Sequence, residues 1–258
     1  MTATLTQSWF MTTRLLRGTV RQPLFLAIGL VQPVVWLLIF GQLFGRVTEL
    51  GGFGTRSYLD YLTPGVLVMM ALTRGAWSGG DLLVELDHGV LDRFLISPVS
   101  RAALIGGHLC HQAIAVMAQS LVVLLLAALA GARLPGGLPG MLAMLAAATL
   151  VVLAVGSLSM AFSLVIRKPQ TLTATIQFVL LPLVFLSSAF IEQRLAAPWI
   201  AFVARFNPID WAVQAGRSAL SAAPDWGLVF TRLGWLFLLA AVCAAVTVRS
   251  FRAYQRSL

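Results

Sequence analysis

The sequence predicts an all-α polytopic membrane protein. Six transmembrane helices are expected, with an N-terminal amphipathic interface helix, a cytoplasmic helical segment and short outer re-entrant or interfacial helices. Three observations predict this class. Apolar residues fill 59% of 258 positions and charged residues only 10%, against roughly 45–50% and about 25% in soluble domains. Mean hydropathy is +0.89. Long stretches carry no charge at all: residues 22–45, 102–132, 134–166 and 169–191. A bilayer crossing needs about 20 apolar residues. In lipid the backbone must satisfy its own hydrogen bonds, and these runs are too long and too continuous for barrel strands. A soluble enzyme, a disordered chain and a disulfide scaffold are excluded.

Residues 1–22 form the first unit. At helical spacing, Leu5, Trp9, Leu16 and Val20 share one side and Arg14, Arg17 and Arg21 another. That pattern suits a helix lying in the inner interface, its bases towards anionic headgroups. The segment is too polar for a secretory signal. Residues 23–258 form the membrane unit, with spans near 23–45, 59–80, 106–131, 138–166, 171–191 and 227–248. Pro33 should kink the first span. Gly51, Gly52 and Gly54 mark a short outer loop. Gly75-Ala-Trp-Ser-Gly-Gly80 reads as a small-residue packing stretch.

Residues 81–101 are the most polar inner stretch, with four of the nine acids: Asp81, Glu85, Asp87 and Asp92. Leu83, Leu86, Val90 and Phe94 recur at helical spacing. Gly89 weakens that helix, Pro98 ends it, and Ser100 is placed to cap the next one. Gly136-Gly137 and Pro139 make an outer turn, and Arg167-Lys168-Pro169 an inner one. Residues 192–226 mix apolar runs with charges, break at Asn207-Pro208, and carry Trp199, Trp211 and Trp226 as interface anchors. They read as short helices on the outer leaflet.

The net charge is +9, with a single lysine, Lys168. No basic run with interleaved aromatics offers a surface for nucleic acid. The bases flank spans instead. With both termini inside, ten lie on inner segments and six on outer ones, which sets both ends in the cytoplasm. Arg74 and Arg232 are expected to snorkel from span ends. The Arg-over-Lys bias fits a GC-rich bacterium and its inner membrane. Cys110 and Cys243 read as buried small hydrophobes rather than a disulfide.

A phosphate loop requires Gly-Lys-Ser/Thr, but Lys168 precedes Pro169. The chain therefore has no nucleotide-hydrolysing site of that kind. His108 and His111 share a helix face, but no carboxylate is near them in sequence, and packing is the expected role. There is no His-Glu-x-x-His and no Gly-x-Ser-x-Gly. The predicted spans lack deep carboxylates for a proton relay. The bundle must take its free energy from elsewhere.

Gly89-Val-Leu-Asp-Arg-Phe-Leu-Ile-Ser-Pro-Val-Ser-Arg101, Asp60-Tyr-Leu-Thr-Pro-Gly65, Phe185-Leu-Ser-Ser-Ala-Phe-Ile191 and Phe206-Asn-Pro-Ile-Asp-Trp211 together resemble permease subunits of type-2 ABC exporters. The likeness is to the daunorubicin-resistance branch and covers nearly the whole chain. It implies a half-transporter paired with a second copy or a related permease. Two cytosolic ATPase subunits would hold ATP and Mg, with no cofactor on this chain. The segment between spans two and three would be a coupling helix, with Glu85, Asp87, Leu91, Asp92 and Arg93 against the ATPase. Trp9, Arg14, Arg17 and Arg21 would belong to the interface helix, and Asn207, Pro208 and Trp211 to an outer element near the exit. Met69, Trp77, Phe185 and Phe190 are candidates to line a path for a hydrophobic drug or lipid-like substrate. Alternatives are a proton-driven secondary transporter, a permease for lipid-linked glycans, and a non-transporting scaffold.

Overall fold

A computed structural model describes residues 2–44, 57–87, 101–166, 168–190 and 197–255. These residues are helical throughout apart from short turns. In chain order, α1 is Thr2–Val20, α2 is Pro23–Val35, α3 is Tyr58–Asp87 and α4 is Arg101–Leu129. Then come α5 (Gly137–Ile166), α6 (Pro169–Phe185), α7 (Pro198–Ala204), α8 (Pro208–Leu220) and α9 (Trp226–Gln255).

By length and composition, Ala103–Leu129, Gly137–Ile166 and Trp226–Phe251 can cross a membrane, while Ala27–Leu43 and Pro169–Phe185 are shorter apolar helices. α3 is long but carries Asp60, Arg74, Asp81, Glu85 and Asp87. It is nonetheless the central helix, packing on α4, α5, α6 and α8. Leu62, Val66, Leu67, Val68, Ala71 and Leu72 are fully buried.

The kink expected at Pro33 takes a specific form. Proline has no N–H for the carbonyl four residues earlier. Directly after α2 the chain passes through a π-helical turn, Trp36–Phe40, before a last α turn, Gly41–Leu43. The wider turn absorbs the interruption without ending the helix. It also stacks Trp36 on Phe40 at 4.5 Å between ring centroids.

α3 packs most extensively on α5, and α5 in turn on α9. The small-residue stretch is what brings α3 and α5 together. A Cβ on Gly75 would meet Gly156 N at 3.1 Å, and one on Gly79 would collide with the Ser159 backbone. At this closeness the serines bridge the backbones. Ser78 Oγ donates to Gly75 O at 2.7 Å and to Gly156 O at 3.1 Å. Ser159 Oγ donates to Ala76 O and accepts from Gly79 N–H. Membrane helices associate by such close packing and hydrogen bonding, since lipid supplies little hydrophobic drive.

The sequence separates Asp81–Asp87 from the second span, but the structure continues α3 through them without a break. Leu82 and Leu83 are buried, with Leu82 packed beside Leu104 and Ile105 of α4. Residues Asp81–Asp87 thus continue α3 past the predicted span rather than start a new helix. The remainder of the inner segment, residues 88–100, lies outside the described residues, including Leu91, Asp92, Arg93 and the Ser100 cap.

α1 ends at Val20 and α2 begins with Pro23 at its first turn, which places a break at the boundary expected there. Trp9, Phe10 and Val20 point outward. The opposite face was not legible as apolar. Met11 and Thr12 are buried, and Gly107 of α4 would place a Cβ against Met11. Thr12 Oγ1 donates to Gly107 O at 3.2 Å. Both cysteines are free; Cys243 is buried as expected, whereas Cys110 is exposed on α4.

Candidate functional site

α1, α2, α3 and α4 bound a cavity of about 500 Å³. Each helix contributes one stripe, because residues three and four apart share a helical face. α3 gives Met69, Met70, Thr73, Arg74, Trp77, Asp81 and Glu85, and α4 gives His108, His111, Gln112 and Gln119. α2 adds Ile28, Gly29, Gln32 and Pro33, and α1 adds Arg14, Thr19 and its neighbours. A volume of this order lies within the range of small-molecule sites, about 300–1,000 Å³. The lining is apolar along Ile28, Val66, Met69, Met70 and Trp77, and polar elsewhere.

An ion cluster closes the cavity at the C-terminal part of α3. Glu85 Oε2 lies 3.1 Å from His108 Nε2, and Glu85 Oε1 lies 3.5 Å from Arg14 Nη2. The carboxylate near the histidines thus comes from another helix, where sequence proximity could not show it. Glu85 stands beyond the end of the second span expected at 59–80. Burial opposes its charge, but the His108 bond and the charges of His108 and Arg14 outweigh that and hold its carboxyl below the usual range. His111 Nε2 meets Thr19 Oγ1 of α1 at 2.8 Å. Among the described residues, no group of three or more His, Cys, Asp or Glu is placed to hold a metal.

The expected site residues separate into distinct places. Met69 and Trp77 line the cavity together. Phe185 is an exposed residue at the end of α6. Phe190 packs in an aromatic stack, 5.1 Å from Trp36 and 6.3 Å from Phe40. Arg14 pairs with Glu85 while remaining exposed, as Arg17 and Arg21 are. Arg74 lies near the middle of α3 and lines the cavity. Arg232 reaches Gln214 Oε1 at 3.1 Å. Asp87 is the last residue of α3.

The outer element is a second constellation. Asn207 caps α8, its side-chain oxygen accepting from Ile209 N–H at 2.9 Å, with Pro208 at the first helical position. Its Nδ2 donates to Leu183 O at 2.7 Å and Leu186 O at 3.0 Å, stapling α8 to the end of α6. Trp211 Nε1 donates to Arg205 O. Sequence reasoning missed the partners of this staple. Buried Asp210 accepts from Ser188 N–H at 2.8 Å and Gln214 Nε2 at 2.6 Å. Arg217 donates to Ser188 O at 2.8 Å, and its guanidinium lies 3.6 Å from the Tyr61 ring centroid. Asp210, Gln214 and Arg217 stand four and three apart on α8, a spacing that could have marked them as one face.

Comparison with known proteins decides what kind of bundle this is. The model of the ABC-2 type transporter family matches residues 6–221. The chain belongs to the ABC-2 type transporter family. It is similar to the daunorubicin resistance ABC transporter permease protein of Streptomyces coeruleorubidus, 28% identical over 98% of this chain and 87% of the relative. The ycf38 protein of Porphyra purpurea, named as a transport permease, is 30% identical over 80% of this chain and 70% of its own length. The DrrC protein of Mycobacterium tuberculosis, named for doxorubicin resistance, is 22% identical over 95% and 88%. The ABC-2 family match agrees with the exporter-permease resemblance of the sequence. As an ABC-2 permease the chain is a multi-pass membrane protein that works with an ABC ATPase subunit.

Proposed function

We propose that this permease forms half of an export pathway for a hydrophobic drug or lipid-like amphiphile. The observation that carries the reading is the cavity among α1–α4, apolar along Met69, Met70 and Trp77 and polar along Arg74, Gln112 and His108. A site with both characters suits a molecule that is greasy along one side and polar along another. The names of the relatives, daunorubicin and doxorubicin resistance, support a drug cargo.

The pathway is completed by a second permease copy or a relative. Two ATPase subunits bind ATP and Mg and supply the stroke. The chain sits in a bacterial inner membrane with both termini cytoplasmic, in keeping with its ten inner bases against six outer ones. The segment 81–101 couples to the ATPase. Because Glu85 is engaged by Arg14 and His108, the docking role is assigned to Asp87, Leu91, Asp92 and Arg93. The test replaces Asp87, Asp92 and Arg93 together. Loss of ATPase copurification from a folded permease supports the assignment, and retained docking with full transport refutes it.

A further inference from the structure

We infer that the cavity binds a neutral amphiphile whose head carries hydroxyl or amide groups, held by Gln32 and Gln119, with its tail along Met69, Met70 and Trp77. This rests on the export reading and names a ligand class for the same cavity. Three glutamines line it: Gln32 from α2, and Gln112 and Gln119 from α4. Gln112 and Gln119 are seven apart, two turns along one helical face. Gln32 is the one polar side chain in α2. Gly29 makes room for Gln119, since a Cβ there would stand 3.2 Å from its Nε2. The side-chain amides of Gln32 and Gln119 make no hydrogen bond among the described residues. An amide left without partners in a membrane helix is costly. Both of these line the cavity, so its occupant is where their partners come from.

The charged groups of the lining select neither sign. Arg74 faces Asp81, and Asp81 accepts from the Gln112 amide. Arg14 and His108 lie on the two oxygens of Glu85, and His111 meets Thr19 Oγ1. Each arginine of the lining thus has an acid opposite it. The amides still unpartnered are neutral and of both kinds. A glutamine amide donates two N–H and accepts through its oxygen. Gln112, having given an N–H to Asp81, keeps Oε1 as an acceptor without a partner. Hydroxyl and amide heads also both donate and accept, and so match this set. A phosphate dianion only accepts, and a quaternary ammonium does neither. A few placed polar groups beside an apolar wall are how small-molecule sites fix orientation.

The test uses the full chain in phosphatidylcholine nanodiscs, without its ATPase or ATP, so its failure is separate from failure of the transport reading. Three probes share one decyl chain, brominated at its end, and carry a glucose, a phosphate or a trimethylammonium head. Bromine quenches tryptophan. Trp77 is 41% exposed and lines the cavity, and the difference from W77F isolates its signal. The glucoside should saturate that signal at the lowest concentration. Q32M and Q119M keep the side-chain length without the amide, and each should raise the half-saturation about 3- to 10-fold. Q177M, at an exposed position of α6 away from the cavity, should leave it unchanged. If Q119M does not fold, Q32M carries the test alone, since Gln32 is exposed. Equal or tighter quenching by the phosphate or ammonium probe, quenching by the glucoside that never saturates, or native affinity in Q32M or in a folded Q119M would overturn the inference.

Discussion

Glu85 and His108 lie 23 residues apart in the chain and 3.1 Å apart in space. With Arg14 on the other carboxylate oxygen, this contact ties α1, α3 and α4 together. Glu85 is 16% exposed and Arg14 45%, so the two partners should not weigh equally. E85Q should destabilise the folded chain by about 1.5–3 kcal/mol, the range for a hydrogen bond to a charged group. R14Q should cost less than about 1 kcal/mol, as exposed ion pairs do. Denaturation in detergent, with both variants side by side, checks the order.

The same cluster predicts a pH dependence. The folded carboxyl of Glu85 lies below its ordinary value. Its contribution is therefore complete above the unfolded carboxylate range and is lost as pH falls through the lower, folded value. The stability gap between the native chain and E85Q should close as pH falls through the carboxylate range, and a gap that widens within that range would contradict the sign.

Close approach of α3 and α5 is a second checkable feature. G79L should lower stability by about 1–3 kcal/mol or more, through overpacking against the Ser159 backbone. G234A is the matched control, since a Cβ there meets nothing within 4 Å. It should be neutral or slightly stabilising through helix propensity. Thermal unfolding of the two variants decides this.

N207A removes the cap of α8 and both bonds to the end of α6. It should cost about 1–3 kcal/mol. N207S keeps a cap acceptor and loses the two donors, so its loss should be intermediate. If the two variants match the native chain in unfolding, the staple has no energetic role.

The sequence made the helices visible because lipid demands long uncharged runs, and α4, α5 and α9 fall where those runs are. The Gly75–Gly80 stretch was equally plain, since only small residues admit a neighbouring backbone. Asn207-Pro208 announced the start of α8 through cap chemistry that is local to three residues. The cavity was only half legible. Met69 and Trp77 were picked out by residue type, but their companions Arg74, Gln112 and His108 meet only after α3 and α4 pack. Periodicity in α1 gave no sign of its buried face. That face uses Ser8, Met11 and Thr12 against glycines, where small size substitutes for hydrophobicity. Polarity at Asp81–Asp87 suggested a separate helix because a buried acid at a span end looks like a loop acid until its partner is known.

The central claim is that this permease moves cargo on energy released by a separate ATPase. Efflux of doxorubicin from cells expressing the chain with its ATPase measures that most directly. Efflux should require both proteins and ATP, and should survive collapse of the proton gradient. Efflux that persists through ATP depletion and stops with the gradient would contradict it.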